Sequence, residues 1–62
     1  MKIWTKVREK LQEQGKTVRQ LEKATGVSKD SIYRWDYYSP RVNNLKLVAD
    51  ELGCTLDELV SE

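Results

Sequence analysis

The sequence predicts an all-α fold, a bundle of five short helices around one small core, and three observations carry that reading. Apolar residues recur at helical spacing, as in Ile3, Val7 and Leu11, and again in Leu45, Val48, Ala49 and Leu52. The glycines Gly15, Gly26 and Gly53 each close such a run. Thr17 with Gln20, and Thr55 with Glu58, have the spacing of capping boxes, in which two side chains satisfy backbone N–H groups at a helix start.

The first helix is expected over residues 3–13, with Trp4 beside its apolar stripe and read as core rather than as a stacking platform. Lys6, Arg8, Glu9, Lys10 and Glu13 take its other faces. The second begins at Thr17 and carries Val18, Leu21 and Ala24 at three-residue steps as one apolar face. Gly26 stops it, because only glycine takes the left-handed backbone conformation without a Cβ clash. Ser28 is expected to cap the third helix, with Val27 and Ile32 flanking the cap as a hydrophobic staple. Trp35 is read as core. Residues 36–42 form a loop in which Pro40 disfavours continued helix. A fourth helix over 43–52 and a fifth over 56–60 follow, with Cys54 a small buried hydrophobe and Leu56, Leu59 and Val60 closing the core.

Composition excludes several classes of function. Sixty-two residues make one domain, 1–62, with too small an interior for a deep active site. With no His and one Cys, a Cys/His zinc site and an internal disulfide are both excluded. No activated nucleophile or clustered carboxylate pair is evident, so no catalytic residue, metal or cofactor is assigned, and no small-molecule ligand is expected. No run is apolar and long enough to span a membrane and no signal peptide is visible, which points to a cytoplasmic protein. The net charge of +1 hides an asymmetry: residues 1–41 hold ten Lys or Arg and five Asp or Glu, while residues 42–62 hold one Lys and five Asp or Glu. A basic front and an acidic back orient the electric field of the molecule.

The run LEKATGVSKDSIYRWD, with Gly15 before it, Pro40 after it and LKLVADELGCTLDEL towards the C-terminus, resembles the phage Cro and repressor (XRE-type) helix-turn-helix family. There the pattern is roughly Leu-Ala-x-x-x-Gly-Val-Ser-x-x-x-Ile-x-x-Trp-Glu. No single piece is specific, but the ordered series spans nearly the whole chain. The resemblance implies a five-helix Cro/repressor-like bundle of the lambda-repressor-like type. It implies a sequence-specific regulator of double-stranded DNA, a phage or prophage repressor in a bacterial cell or phage-infected host. Such a protein occupies a near-palindromic operator as a homodimer and does no chemistry. The expected dimer is weak, held by loop 36–42, the fifth helix or DNA itself. The competing reading is a protein-interaction module (antitoxin, antirepressor or coregulator) whose acidic back half binds a partner.

By the resemblance, Lys29, Asp30 and Arg34 match base-reading positions, and Tyr33 joins them as a candidate that faces away from the core. The chemistry fits. Arg34 can place two N–H donors on O6 and N7 of a guanine, Lys29 can reach a guanine or a phosphate, and Asp30 can accept from a cytosine amino group. Asp30 has an equal structural reading: a carboxylate in a first helical turn stabilises the dipole by about 0.3–1 kcal/mol, and Arg34 is its i, i+4 partner. Candidates for phosphate contact are Lys16, Thr17, Arg19, Ser31, Tyr37, Tyr38, Arg41 and Asn43, each of which also reads as a solvated surface group. Tyr37 and Tyr38 serve equally well as a cover for the core or a dimer contact. Three residues depart from the family pattern. Val18 replaces a Gln that touches DNA. Glu22 replaces a small Ala, and so leans outward to Arg19 or Lys23 or opens the helix crossing. Leu11 replaces an Arg paired with the acidic residue that Asp36 matches, so Asp36 must find another partner or stay solvated.

Overall fold

Five helices form where the apolar stripes and their glycine stops place them: α1 (Ile3–Gln14), α2 (Val18–Thr25), α3 (Lys29–Tyr33), α4 (Val42–Leu52) and α5 (Leu56–Val60). The structure is a computed structural model that describes residues 2–60, and no strand occurs among them. α2 packs on α3 and on α4, while α1 and α4 both pack on α5. The core draws on every helix. Ile3, Val7 and Leu11 enter from α1, Leu21 from α2, Ile32 from α3, Leu45, Val48, Ala49 and Leu52 from α4, and Leu59 from α5, with Val27 and Trp35 from the connections. Trp4, Val18, Cys54 and Leu56 are half-buried at its edge.

Three expectations about the core do not hold. Ala24 is exposed; the inward line of α2 runs through Val18, Leu21 and Thr25, which keeps step with 3.6 residues per turn where strict three-residue steps drift off the face. Val60 is exposed as well, because in so short a helix Leu59 alone reaches the interior. Cys54 is half-buried rather than fully enclosed.

The local polar devices form largely as their residue types dictate. Gln20 N–H donates to Thr17 Oγ at 3.1 Å and Thr17 N–H donates to Gln20 Oε1 at 2.9 Å, completing the box. Thr55 and Glu58 repeat it at the start of α5. Gly26 sits at φ +77°, and its N–H donates to the Glu22 carbonyl at 2.8 Å. Thr25 braces this corner, donating its hydroxyl to the Leu21 carbonyl and accepting the Val27 N–H.

Three further bonds join elements far apart in sequence. Gln14 Nε2 donates to the Leu52 carbonyl at 2.6 Å, so the end of α1 satisfies one of the carbonyls that α4 leaves without an intrahelical partner. Asp36, just after the third helix, reaches the start of α1. Its Oδ1 accepts the Thr5 N–H at 3.1 Å and its Oδ2 accepts the Thr5 hydroxyl at 2.8 Å. The residue that precedes α1, Lys2, makes no side-chain cap bond. Asp36 therefore caps α1 from 31 residues away, and this is the partner the sequence left open.

The Asp36 carboxyl is a balance of opposed effects. Partial desolvation raises its pKa, but the two Thr5 hydrogen bonds, the Trp4 N–H and the charge of Lys2 outweigh it and hold the group below its ordinary value of 3.8. A folded-state pKa below the unfolded one stabilises the protein fully above about pH 4, and that contribution fades as pH falls through the lower folded value. Asp36→Asn is expected to cost about 1 kcal/mol at pH 7, within the range for a helix cap. In thermal unfolding followed from pH 7 to pH 2, the gap between parent and variant should narrow below about pH 4. A gap independent of pH would show that the charge contributes nothing.

Candidate nucleic-acid interface

α3 is five residues long, too short to hold itself as a helix in water. Its shape comes from what lies beneath it. Ile32 is fully buried and Trp35 is 5 % exposed, so the inner side of the segment is fixed in the core. The remaining side chains, Lys29, Asp30, Ser31, Tyr33 and Arg34, are all exposed. Five of the proposed contact residues thus stand together on one outward surface. Among the described residues no ion pair joins Asp30 to Arg34, which leaves the Arg34 guanidinium free to turn outward.

The amino end of α3 is held by a residue of α2. Ser28 has extended backbone geometry suited to a cap (φ −60°, ψ 135°), but its side chain makes no cap bond. Glu22 supplies one instead: its Oε2 accepts the Lys29 N–H at 2.8 Å. This corrects the expected Ser28 cap and the expected pairing of Glu22 with Arg19 or Lys23. The long side chain turns neither to Arg19 nor to Lys23. It crosses the Gly26 corner to the positive end of the next helix, where a carboxylate is favoured.

The carboxyl end is held by aromatic packing. The Tyr33 and Trp4 rings meet edge to face, with centroids 4.9 Å apart and planes inclined by 77°. Tyr33 remains 45 % exposed, so part of its ring packs on α1 and part stays available. Trp4 is half-buried and packs against the core, as its place in the α1 stripe suggested.

The chain then turns without glycine. Tyr37 and Tyr38 both donate their N–H to the Arg34 carbonyl, at 2.9 and 2.8 Å. No described residue other than glycine has positive φ, so the tyrosine pair passes through ordinary backbone conformations. This turn brings the loop back beside α3. Ser31, Arg34, Tyr38 and Arg41 line one open cleft of about 280 Å³, with Trp35, Ser39, Pro40 and Asn44 completing it. Two guanidinium-bearing residues, a phenol and a hydroxyl suit a phosphodiester. Asn44 was missed in the sequence, although the signal existed. It lies one turn before the fully buried Val48, and so on the side of α4 that faces the protein.

The other candidates are not drawn into this cleft. Tyr37 is 86 % exposed in the same turn, and Asn43 is exposed in the first turn of α4. Arg19 is exposed near the start of α2, where the Thr17 oxygen is engaged by the capping box while its own O–H can still donate. Lys16 Nζ lies 3.7 Å from Glu51 Oε2. A pair this exposed contributes roughly 0–1 kcal/mol and leaves the ammonium accessible.

Between α4 and α5, burial and the nearby Glu58 push the Cys54 thiol pKa up, against a smaller opposing effect of Lys10. Among the described residues no group of His, Cys, Asp or Glu is arranged to hold a metal ion, and no helix is long and apolar enough to cross a membrane.

The family model described as Helix-turn-helix (HTH_3) matches residues 7–59, a span that reaches from the middle of α1 to the end of α5. No curated protein and no solved structure matches the chain at a significant level. A match over that span, together with a buttressed second motif helix whose polar residues all face outward, settles the family: the chain belongs to the XRE-type helix-turn-helix proteins, DNA-binding regulators of transcription.

Proposed function

We propose that this protein is a sequence-specific repressor of the phage or prophage type, acting in the bacterial cytoplasm by occupying a near-palindromic operator as a homodimer. The observation that carries the reading is the division of α3 into a buried anchor, Ile32 with Trp35, and a wholly exposed polar set. A single helix presenting Lys29, Asp30 and Arg34 fits the major groove, where those side chains can discriminate base pairs. Tyr33 adds a ring edge beside them. Ser31, Tyr38 and Arg41 would hold the flanking phosphate in the cleft, with Tyr37, Asn43, Lys16, Thr17 and Arg19 as outer backbone contacts.

The size of the protomer is compatible with a homodimer on such a site. Half-sites one helical turn apart lie roughly 34 Å centre to centre. The protomer measures 23 Å along its longest axis, so two can sit on successive turns without collision, with only long surface side chains able to meet between them. Tyr37, Tyr38 and Val42, all strongly exposed, offer apolar surface for such a contact. A contact that small favours pairing on the operator over a stable dimer in solution.

Selection of bound duplexes from a random pool, with affinity then measured against salt concentration, tests this reading. Enrichment of a near-palindrome containing G·C pairs is expected; an unenriched pool would refute sequence-specific binding. Arg34→Ala should cost about 1–3 kcal/mol and relax the preference at one base position. Arg41→Ala should weaken binding to all sequences alike and flatten the salt slope by about one unit. Parent-like binding by both variants would show that this face does not meet DNA.

A further inference from the structure

We propose that Glu22 is a positioning residue for DNA recognition, governing sequence discrimination through the backbone of α3 and without touching DNA. The inference rests on the reading of α3 as the helix that reads bases. Three fastenings define how that helix sits. Ile32 and Trp35 fix its depth, since both are buried. The Tyr33 ring, edge-on to Trp4, fixes its carboxyl end. At its amino end, the bond from the Lys29 N–H to Glu22 Oε2 is the side-chain hydrogen bond that ties α3 to another helix.

That amino end is where the base-reading residues lie. Lys29 and Asp30 occupy the first two positions of the helix, on the two peptide units nearest the Glu22 bond. Burial of Val27, Ile32 and Trp35 fixes the depth of the segment but leaves small tilts of its first turn to the Glu22 bond. A tilt of a few degrees swings the long side chains of Lys29 and Arg34 by a large fraction of a hydrogen-bond length, and base-edge contacts tolerate little such error. Contacts to phosphate are more forgiving, because they come from flexible groups and carry no sequence information. Loss of the Glu22 bond should therefore degrade discrimination while sparing general affinity for DNA. Glu22 acts from α2, seven residues before Lys29, and stays half-buried behind the corner.

The test compares the parent with Glu22→Ala, Glu22→Asp and Glu22→Gln, all held well below their unfolding temperatures. Affinities are measured for the selected operator and for a random duplex at one salt concentration, and Lys29 amide exchange is followed by NMR. Glu22→Ala should lose roughly tenfold in affinity for the operator, the size of one spoiled base contact. Its affinity for the random duplex should stay within about twofold of the parent. Lys29 amide exchange should accelerate. Glu22→Gln keeps an oxygen that can accept the N–H, and should restore both protection and discrimination. Glu22→Asp keeps the charge but is one methylene short, and should behave like Glu22→Ala; it serves as the reading if the alanine variant does not fold. Equal loss on both duplexes, or no loss on either, would overturn the proposal, as would failure of Glu22→Gln to restore discrimination while its Lys29 amide stays protected. If the parent itself binds no duplex, the repressor reading falls first and this inference falls with it, an outcome distinct from the others because it appears before any variant is made.

Discussion

The burial of Ile32 is the constraint on which the rest of the molecule turns. A five-residue helix has too few internal hydrogen bonds to persist alone, so α3 exists because one aliphatic side chain is fully enclosed and a tryptophan three residues later closes over the same core. That anchoring forces the intervening and flanking residues outward. The polar character of Lys29, Asp30, Ser31 and Arg34 then becomes the character of a surface. Structure and candidate function meet in a single residue spacing.

Around this anchor the small core is tied by hydrogen bonds that span the chain. Asp36 caps α1, Gln14 closes the end of α4, and Glu22 holds the start of α3. Each supplies a helix end with the partner that its own neighbouring residues do not. A domain of this size buries little apolar surface, so such bonds between elements weigh more heavily than they would in a larger protein. They also couple the elements. Asp36 follows directly on Trp35, so the cap on α1 and the anchor of α3 belong to one short stretch, and Tyr33 on Trp4 ties the same two elements again.

The electrostatic division suits a protein that meets a polyanion with one face. Arg34 and Arg41 line one cleft, while Asp50, Glu51, Asp57 and Glu58 lie exposed on α4 and α5. Lys16 spans the division, its ammonium close to Glu51. The arginines of the cleft attract a polyanion, and the carboxylates of α4 and α5 repel one.

Five helices, their glycine stops, both capping boxes and most of the core are legible in the residues alone, because each depends on positions within a turn or two of one another. The same residues show that Lys29, Asp30, Ser31, Tyr33 and Arg34 face outward, since Ile32 is the one aliphatic side chain among them. Which polar groups meet across elements is settled by the packing of the helices. The partner of Asp36 lies 31 residues away, and the acceptor for the Lys29 N–H is Glu22 of the preceding helix rather than the adjacent Ser28. No local pattern encodes such a choice, because it depends on how two packed helices happen to aim a side chain. For the same reason Asn44 joined the cleft unannounced and Ala24 and Val60 were left in water: periodicity names a face, but packing fixes where that face ends.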